Sequence, residues 1–461
     1  MRKLVQGGTV VTAADSFQAD VLIDGEEIVA VGSLGDVDAD VVDADGCYVL
    51  PGLIDNHTHM AMPFGGTVSI DDYDTGTRAA AAGGTTCIVD FVIQQHPGGL
   101  RSSLEEWQER ADGAAHVDYG FHMAITQADD ATLADMEPIV EEGLCTFKVF
   151  LAYKGAIMVT DDLFFRVLEH TRDLGALTMV HAENGWAIDV LVERALAAGQ
   201  TDPIYHARTR PEALEAEATG RSVRFAELTG AGVFIVHVTC GLAADEIAAG
   251  QARGVNVSGE TCLQYLTNTV EDLERPDFEG ARYVCSPPLR EAHNQELLWA
   301  ALDRGVLESI STDHCPFNSE QKALGRDDFS KIPNGLAMVQ HRLAKLWDLG
   351  VETNRITPSQ LVDMTSTTIA RRFGLARKGS IAPGMDADLV VFDPATPFEF
   401  STRTSHMNVD YDLFEGQSST GSVRHALCRG TMVYDRGEIL TRPGHGRFVP
   451  RSLHAAAPVA S

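Results

Sequence analysis

Lysine is scarce in this chain. Of 461 residues 36 are basic, only seven of them Lys, against 66 acidic residues, leaving a formal net charge of −30. A field of that sign repels nucleic acid and anionic membrane surfaces, so neither is an expected partner. The acidic, Arg-over-Lys, Ala-rich balance fits a salt-adapted host and a high-GC genome equally well. No apolar run approaches the roughly 18 residues that a membrane helix needs. The first residues, Met1-Arg2-Lys3-Leu4-Val5-Gln6, pass into alternating apolar positions without the apolar region of a signal peptide, and the expected location is cytoplasmic. Paired cysteines are also missing. Eight are scattered with no Cys-x-x-Cys spacing, which reads as reduced, buried thiols rather than a disulfide framework or a thiolate metal site.

The chain holds 44% hydrophobic residues, enough for a sizeable core, and its length suits a large barrel plus a smaller appendage. Residues 3 to about 50 alternate like short strands, with turns at Gly7-Gly8, Asp24-Gly25 and Asp45-Gly46, as in a small antiparallel sheet. A matching set returns only near the other end, at 387–392, 422–427 and 431–434. One β domain assembled from 1–50 and 375–445, with 51–374 inserted as the main domain, is the simplest arrangement. In the insert, strand-like runs at 85–91, 117–125, 146–151, 177–181, 233–238, 255–259 and 307–312 alternate with helical stretches at 103–113, 161–174, 211–229, 243–253 and 292–304. Repeated βα units favour a parallel sheet, either closed or open. Chemistry-bearing residues at the ends of several separate strands converge on the carboxyl face of a closed barrel, so a (β/α)8 barrel is expected. The Pro-flanked, Ala-rich tail, 446–461, reads as an arm that packs on a neighbour or is partly disordered.

His57 and His59 close the apolar run Val49-Leu50-Pro51-Gly52-Leu53-Ile54 and stand two residues apart, so both imidazoles leave one face of a strand. By itself such a pair is half a metal site or a solvated pair. His181 and His237 each close another apolar run; singly, each reads as a hydrogen-bonded core histidine. Asp313 follows Glu308-Ser309-Ile310-Ser311-Thr312 and alone would be a cap or turn residue. Lys148 lies inside Thr146-Phe147-Lys148-Val149-Phe150-Leu151, where a buried ammonium is costly unless exposed, paired or modified. A carbamate on its nitrogen would turn the cation into a bidentate anionic bridge. Jointly, four His, one Lys and one Asp at strand ends fit a two-metal hydrolytic site.

Those residues sit in a series of motifs: PGLIDNHTH (51–59), Gly-Gly-Thr-Thr (83–86) leading to Asp90-Phe91, FKVFLAYKG (147–155), VHAENG (180–185), RPEALEAEAT (210–219), GETCLQYLT (259–267), SPPLR (286–290), STDHCPF (311–317) and KIPNG (331–335). With this series the chain resembles, nearly end to end, the dihydropyrimidinase and D-hydantoinase branch of the cyclic amidohydrolases. The resemblance implies a (β/α)8 barrel with a smaller β-sandwich built from both termini, two zinc ions and a homotetramer. It implies that His57, His59 and Asp313 hold one metal and His181 with His237 the other. Lys148, as N6-carboxylysine, and a hydroxide would bridge the two, with Asp313 as general base and acid. Tyr153 would face the developing oxyanion, and Ser286 and Asn334 would bind the cyclic amide through main-chain groups. The implied reaction is hydrolytic opening of dihydrouracil, dihydrothymine or 5-monosubstituted hydantoins.

An allantoinase would share the metal set, and non-catalytic scaffold relatives keep the fold but have lost ligands; all six ligand positions are filled here. A dihydroorotase would carry Arg two residues beyond the second His, where this chain has Ala61. The segments Met60–Gly66, Val92–Gly99 and Gly155–Thr160 are expected to wall the pocket for the ring substituent.

Overall fold

The computed structural model describes residues 2–127 and 129–451. Eight strands form one parallel sheet in sequence order: β1 (Leu53–Thr58), β2 (Thr85–Ile93), β3 (Asp118–Ala124), β4 (Thr146–Phe150), β5 (Leu177–His181), β6 (Val233–Ile235), β7 (Val257–Cys262) and β8 (Ser309–Ser311). The ring closes just beyond β8, where Thr58 and His314 form a parallel bridge and the His59 amide donates to the His314 carbonyl at 2.8 Å. Every residue of β1 and β2 is buried, as expected for strands covered on both faces, and this is why they read as continuous apolar runs. Helices cover the outside. In Asp161–Asp173 the buried residues Phe164, Val167, Leu168 and Thr171 recur at helical spacing and form one inward stripe.

A seven-stranded sheet draws on both termini. Its order is Glu438–Ile439, Thr431–Asp435, Ser422–Cys428, Leu389–Asp393, Tyr48–Pro51, Thr9–Val11, Ser16–Gln18. Strand alternation gives it two different faces. Val49, Leu389, Val391 and Leu427 enter a small core with Val5, Val21, Ile23 and Ile28 of a four-stranded sheet, whereas Leu50, Val390, Phe392 and Ala426 join the main core of the barrel. The seven-stranded sheet is therefore the middle layer.

The structure departs from the sequence expectations in several places. The amino-terminal strands are not one antiparallel sheet: Arg2–Gln6 pairs in parallel with Asp40–Asp43, and Thr9–Val11 in parallel with Tyr48–Pro51. Strand Asp40–Asp43 is missed because only Val42 of its four residues is buried, so it lacks a hydrophobic signature. Helices Thr75–Ala82, Asp130–Glu141 and Gly185–Ala197 were not anticipated. The run at 233–238 stops being a strand at Ile235, because His237 turns to φ +43°. Residues 444–451 lie along the barrel of their own chain: the Tyr119 amide donates to the Arg447 carbonyl at 3.0 Å, and the Arg451 amide to that of Gly143 at 2.9 Å. The remainder of the expected arm, 452–461, is outside the described residues.

Candidate metal centre

All nine residues singled out above line one cleft of about 550 Å³: His57, His59, Lys148, Tyr153, His181, His237, Ser286, Asp313 and Asn334. The barrel brings them there from separate strands. His57 lies in β1 with His59 one residue past its end, Lys148 in β4 and His181 at the end of β5; His237 and Asp313 each follow their strands by two residues. Three of the nine adopt left-handed backbone, Tyr153 at φ +69°, His237 at +43° and Asp313 at +48°. Such conformations cost a non-glycine residue on the order of 1–3 kcal/mol and persist where surrounding packing imposes them.

Two histidine groups face each other. One ligand atom each from His57, His59 and Asp313 lie within 4.8 Å of one another. The Asp313 carboxylate is 3.2 Å from His57 Nε2 and 3.1 Å from His59 Nε2. Opposite, the rings of His181 and His237 are 4.6 Å apart, and His237 stacks on His57 at 5.3 Å. His57 Nε2, His59 Nδ1 and His237 Nδ1 are buried without a hydrogen-bond partner among the described residues. Buried imidazole nitrogens are normally satisfied, so orphaned ones on three histidines lining one cleft suit a cation. Burial holds the His57 and His237 imidazoles well below their ordinary pKa and hence neutral, the form that ligates. The residues present fit a metal site.

Lys148 is 1% exposed and its ammonium lies 4.4 Å from the centre of the Phe91 ring and 5.0 Å from that of Phe150. Burial pushes it down to about 8, against the opposing pull of Asp313 and Glu260. Burial would raise Asp313 too, but His57, the hydrogen bond from His59 and Lys148 hold its carboxyl below the ordinary value.

Supporting carboxylates were not recognised in the sequence. Glu260 of β7 sits 2.5 Å from His57 Nδ1 and accepts from Asn56; Glu183 sits 2.8 Å from His181 Nε2. Asp90 of β2 accepts from Thr58 Oγ1 at 2.8 Å, the Met60 amide at 3.0 Å and the Tyr73 hydroxyl at 2.6 Å, fixing the turn that carries His59. The available signal was position: Glu260 falls in a strand within GETCLQYLT, and Glu183 lies two residues beyond His181.

The rim is mixed. Asn334 Nδ2 donates to Ser286 Oγ at 3.0 Å, and His206 Nε2 is also 3.0 Å from that oxygen. Phe64 meets Tyr153 edge-on at 5.2 Å, and Ile93, Phe150 and Ile157 complete an apolar wall. Phe64, Ile93 and Ile157 come from the three segments expected to form it. Cys315, beside Asp313 on the lining, was not foreseen.

The amidohydrolase family model matches residues 48–433. The chain is 49% identical to a D-hydantoinase of Geobacillus stearothermophilus over 99% of its length and 98% of the relative's. It is 42% identical to a dihydropyrimidinase of Arabidopsis thaliana, over 97% of this chain and 85% of that one. The crystal structure of dihydropyrimidinase from Brevibacillus agri NCHU1002 superposes with a TM-score of 0.98 at 50% identity, covering 99% of this chain and all of that one.

Proposed function

The chain belongs to the amidohydrolase family, and from that membership we propose how its cleft works. It is a cyclic amidohydrolase that hydrolyses the ring amide bond of dihydropyrimidines or hydantoins. The observation that carries the mechanism is the convergence of five buried ligand side chains and Lys148 on one cleft whose wall holds Tyr153, Ser286 and Asn334.

In this reading His57, His59 and Asp313 would hold one divalent cation and His181 and His237 a second, with Lys148, as its carbamate, supplying a further anionic ligand; the metal we assign is zinc. Such cations would polarise the amide carbonyl and make water a competent nucleophile near neutral pH. Asp313, between His57 and His59, accepts the proton of the attacking water and returns it to the leaving ring nitrogen. Burial pushes the Tyr153 phenol far above its usual range, so it stays a donor and can stabilise the charge that develops on the carbonyl oxygen. Main-chain groups at Ser286 and Asn334 hold the imide edge of the ring. Phe64, Ile93 and Ile157 receive the substituent on the ring carbon.

The same reading takes 51–374 as the hydrolase unit, 1–50 with 375–445 as the β unit, and a cytoplasmic homotetramer as the working form. The test pairs metal analysis with ring opening of dihydrouracil and of a 5-monosubstituted hydantoin, each repeated with Lys148→Ala. About two zinc ions per chain and hydrolysis of either ring are expected, both lost in the variant. A folded, metal-loaded wild-type protein that opens neither ring would overturn the assignment.

A further inference from the structure

On the side of the rim built by Ser286 and Asn334, a lysine outside the metal centre is buried to 1% exposure. Lys322 ends the short helix Ser319–Lys322, and its Nζ lies 2.9 Å from the carbonyl oxygen of Val284, 2.8 Å from that of Pro333 and 2.9 Å from that of Gly335. An ammonium has three donors, and each is used. Burying a charge costs several kcal/mol even when it is paired, and here carbonyl dipoles do the pairing rather than a carboxylate. Burial pulls the amine's pKa down, but three carbonyl acceptors require three donors, which only the charged ammonium has, so the geometry is that of the cation.

The three carbonyls belong to the two segments that form this wall. Val284 leads into Cys285-Ser286, and Pro333 and Gly335 flank Asn334. Neutral bonds join the segments as well: the Gly335 amide donates to the Val284 carbonyl at 3.0 Å and Asn334 Nδ2 to Ser286 Oγ at 3.0 Å. Lys322 adds a charge common to both. Its contact with the Pro333 oxygen has a further consequence, because that carbonyl and the Asn334 N–H share one peptide group. A cation on the oxygen polarises the peptide and makes the N–H a stronger donor.

We propose that Lys322 is a positioning residue for the ring: it clamps 284–286 to 333–335 and strengthens the Asn334 main-chain donor that faces the substrate. This rests on the assignment of Ser286 and Asn334 to the ring made above. Lys322 touches no reacting atom, so its loss acts on substrate binding more than on turnover.

The experiment uses the metal-loaded enzyme with Lys322→Met, and Lys345→Met as a control. Lys345 is also buried but bonds to Gln417, away from the cleft. In Lys322→Met the KM for dihydrouracil rises about tenfold, the expected scale for losing hydrogen bonds from a charged group, while metal content is kept and kcat changes far less. Amide hydrogen exchange accelerates at 284–286 and 334–336, the positions of the two segments that carry an N–H. Lys345→Met shows neither effect. If Lys322→Met does not fold, Lys322→Arg, which keeps a cation but not the three-way geometry, is read the same way and also raises KM. Wild-type KM and exchange in a folded Lys322 variant, or an equal KM rise in the control, overturns the proposal. A wild-type protein that opens no ring defeats the proposed function instead, and the exchange rates still report on the clamp.

Discussion

Glu260 shows what one side chain contributes without reaching the cleft. Its carboxylate stands 2.5 Å from His57 Nδ1, so it orients the ring and leaves Nε2 toward Asp313. Burial pushes Glu260 up to about 8, with the Asn56 amide and Lys148 opposing. Replacing it by Gln keeps the shape but puts a weaker hydrogen-bond acceptor behind the imidazole Nδ1. Glu260→Gln is expected to weaken metal binding roughly 10- to 100-fold, measured by competition with a chelator. Unchanged metal affinity would reduce Glu260 to a packing role.

At the scale of the element, the proposed ligands sit where regular structure gives out. β6 ends at Ile235 and β8 at Ser311, and His237 and Asp313 then turn into left-handed backbone. A ladder continued through these positions would alternate side chains between the barrel interior and the helices; the turn re-aims them. Gly335 does comparable work in the opposite wall. It has φ +144°, and a Cβ there would stand 2.2 Å from the Cys315 carbonyl oxygen. That contact is with backbone and cannot rotate away, so Gly335→Ala is expected to cost about 1–3 kcal/mol of stability. Because the displaced segment carries Asn334, KM should rise in the same variant, with urea titration and steady-state kinetics as the two readings.

Across the whole molecule, the layers are tied by a buried ionic cluster far from the metal centre. Lys378 Nζ is 2.8 Å from Asp118 of β3, 2.7 Å from Asp388 and 3.2 Å from Asp386. Arg429, in the turn after the strand Ser422–Cys428, meets Asp118 at 3.0 Å, and the Arg447 amide adds a bond to the same carboxylate. Barrel, middle sheet and the segment 444–451 meet there. Lys378→Met leaves buried carboxylates short of a partner and is expected to cost about 3–5 kcal/mol. Burial would raise Asp118, but Lys378 and Arg429 outweigh it and hold its pKa below the ordinary value. A depressed carboxyl contributes stability that is present above its unfolded pKa and lost as pH falls through the folded one. Asp388, pushed up by burial, works the other way in part. Lys378 itself is raised and stays charged throughout the acid range. The stability gap between wild type and Lys378→Met should therefore narrow below about pH 4, the ordinary Asp range, and urea midpoints from pH 7 to pH 3 would show it. A gap that stayed constant would mean that Asp118 does not carry the effect.

Much of the site is written locally. A His-x-His spacing puts two imidazoles on one face of a strand whatever surrounds it, and an apolar run ending in His or Asp marks a covered strand with a polar end. Those patterns, with the motif series, determined the barrel, the ligand candidates and the residues of the rim. What the tertiary structure decided is every relation between distant segments. Glu260 meets His57 only because β7 and β1 face one ring, and Lys322 meets Val284, Pro333 and Gly335 only because its helix and two loop segments close over one point. The parallel pairing of Arg2–Gln6 with Asp40–Asp43 belongs to the same class, since register between remote strands leaves little mark on either sequence when one of them is exposed. Periodicity records which face of an element is buried. Which partner lies against that face is settled only when the sheets close and the core packs.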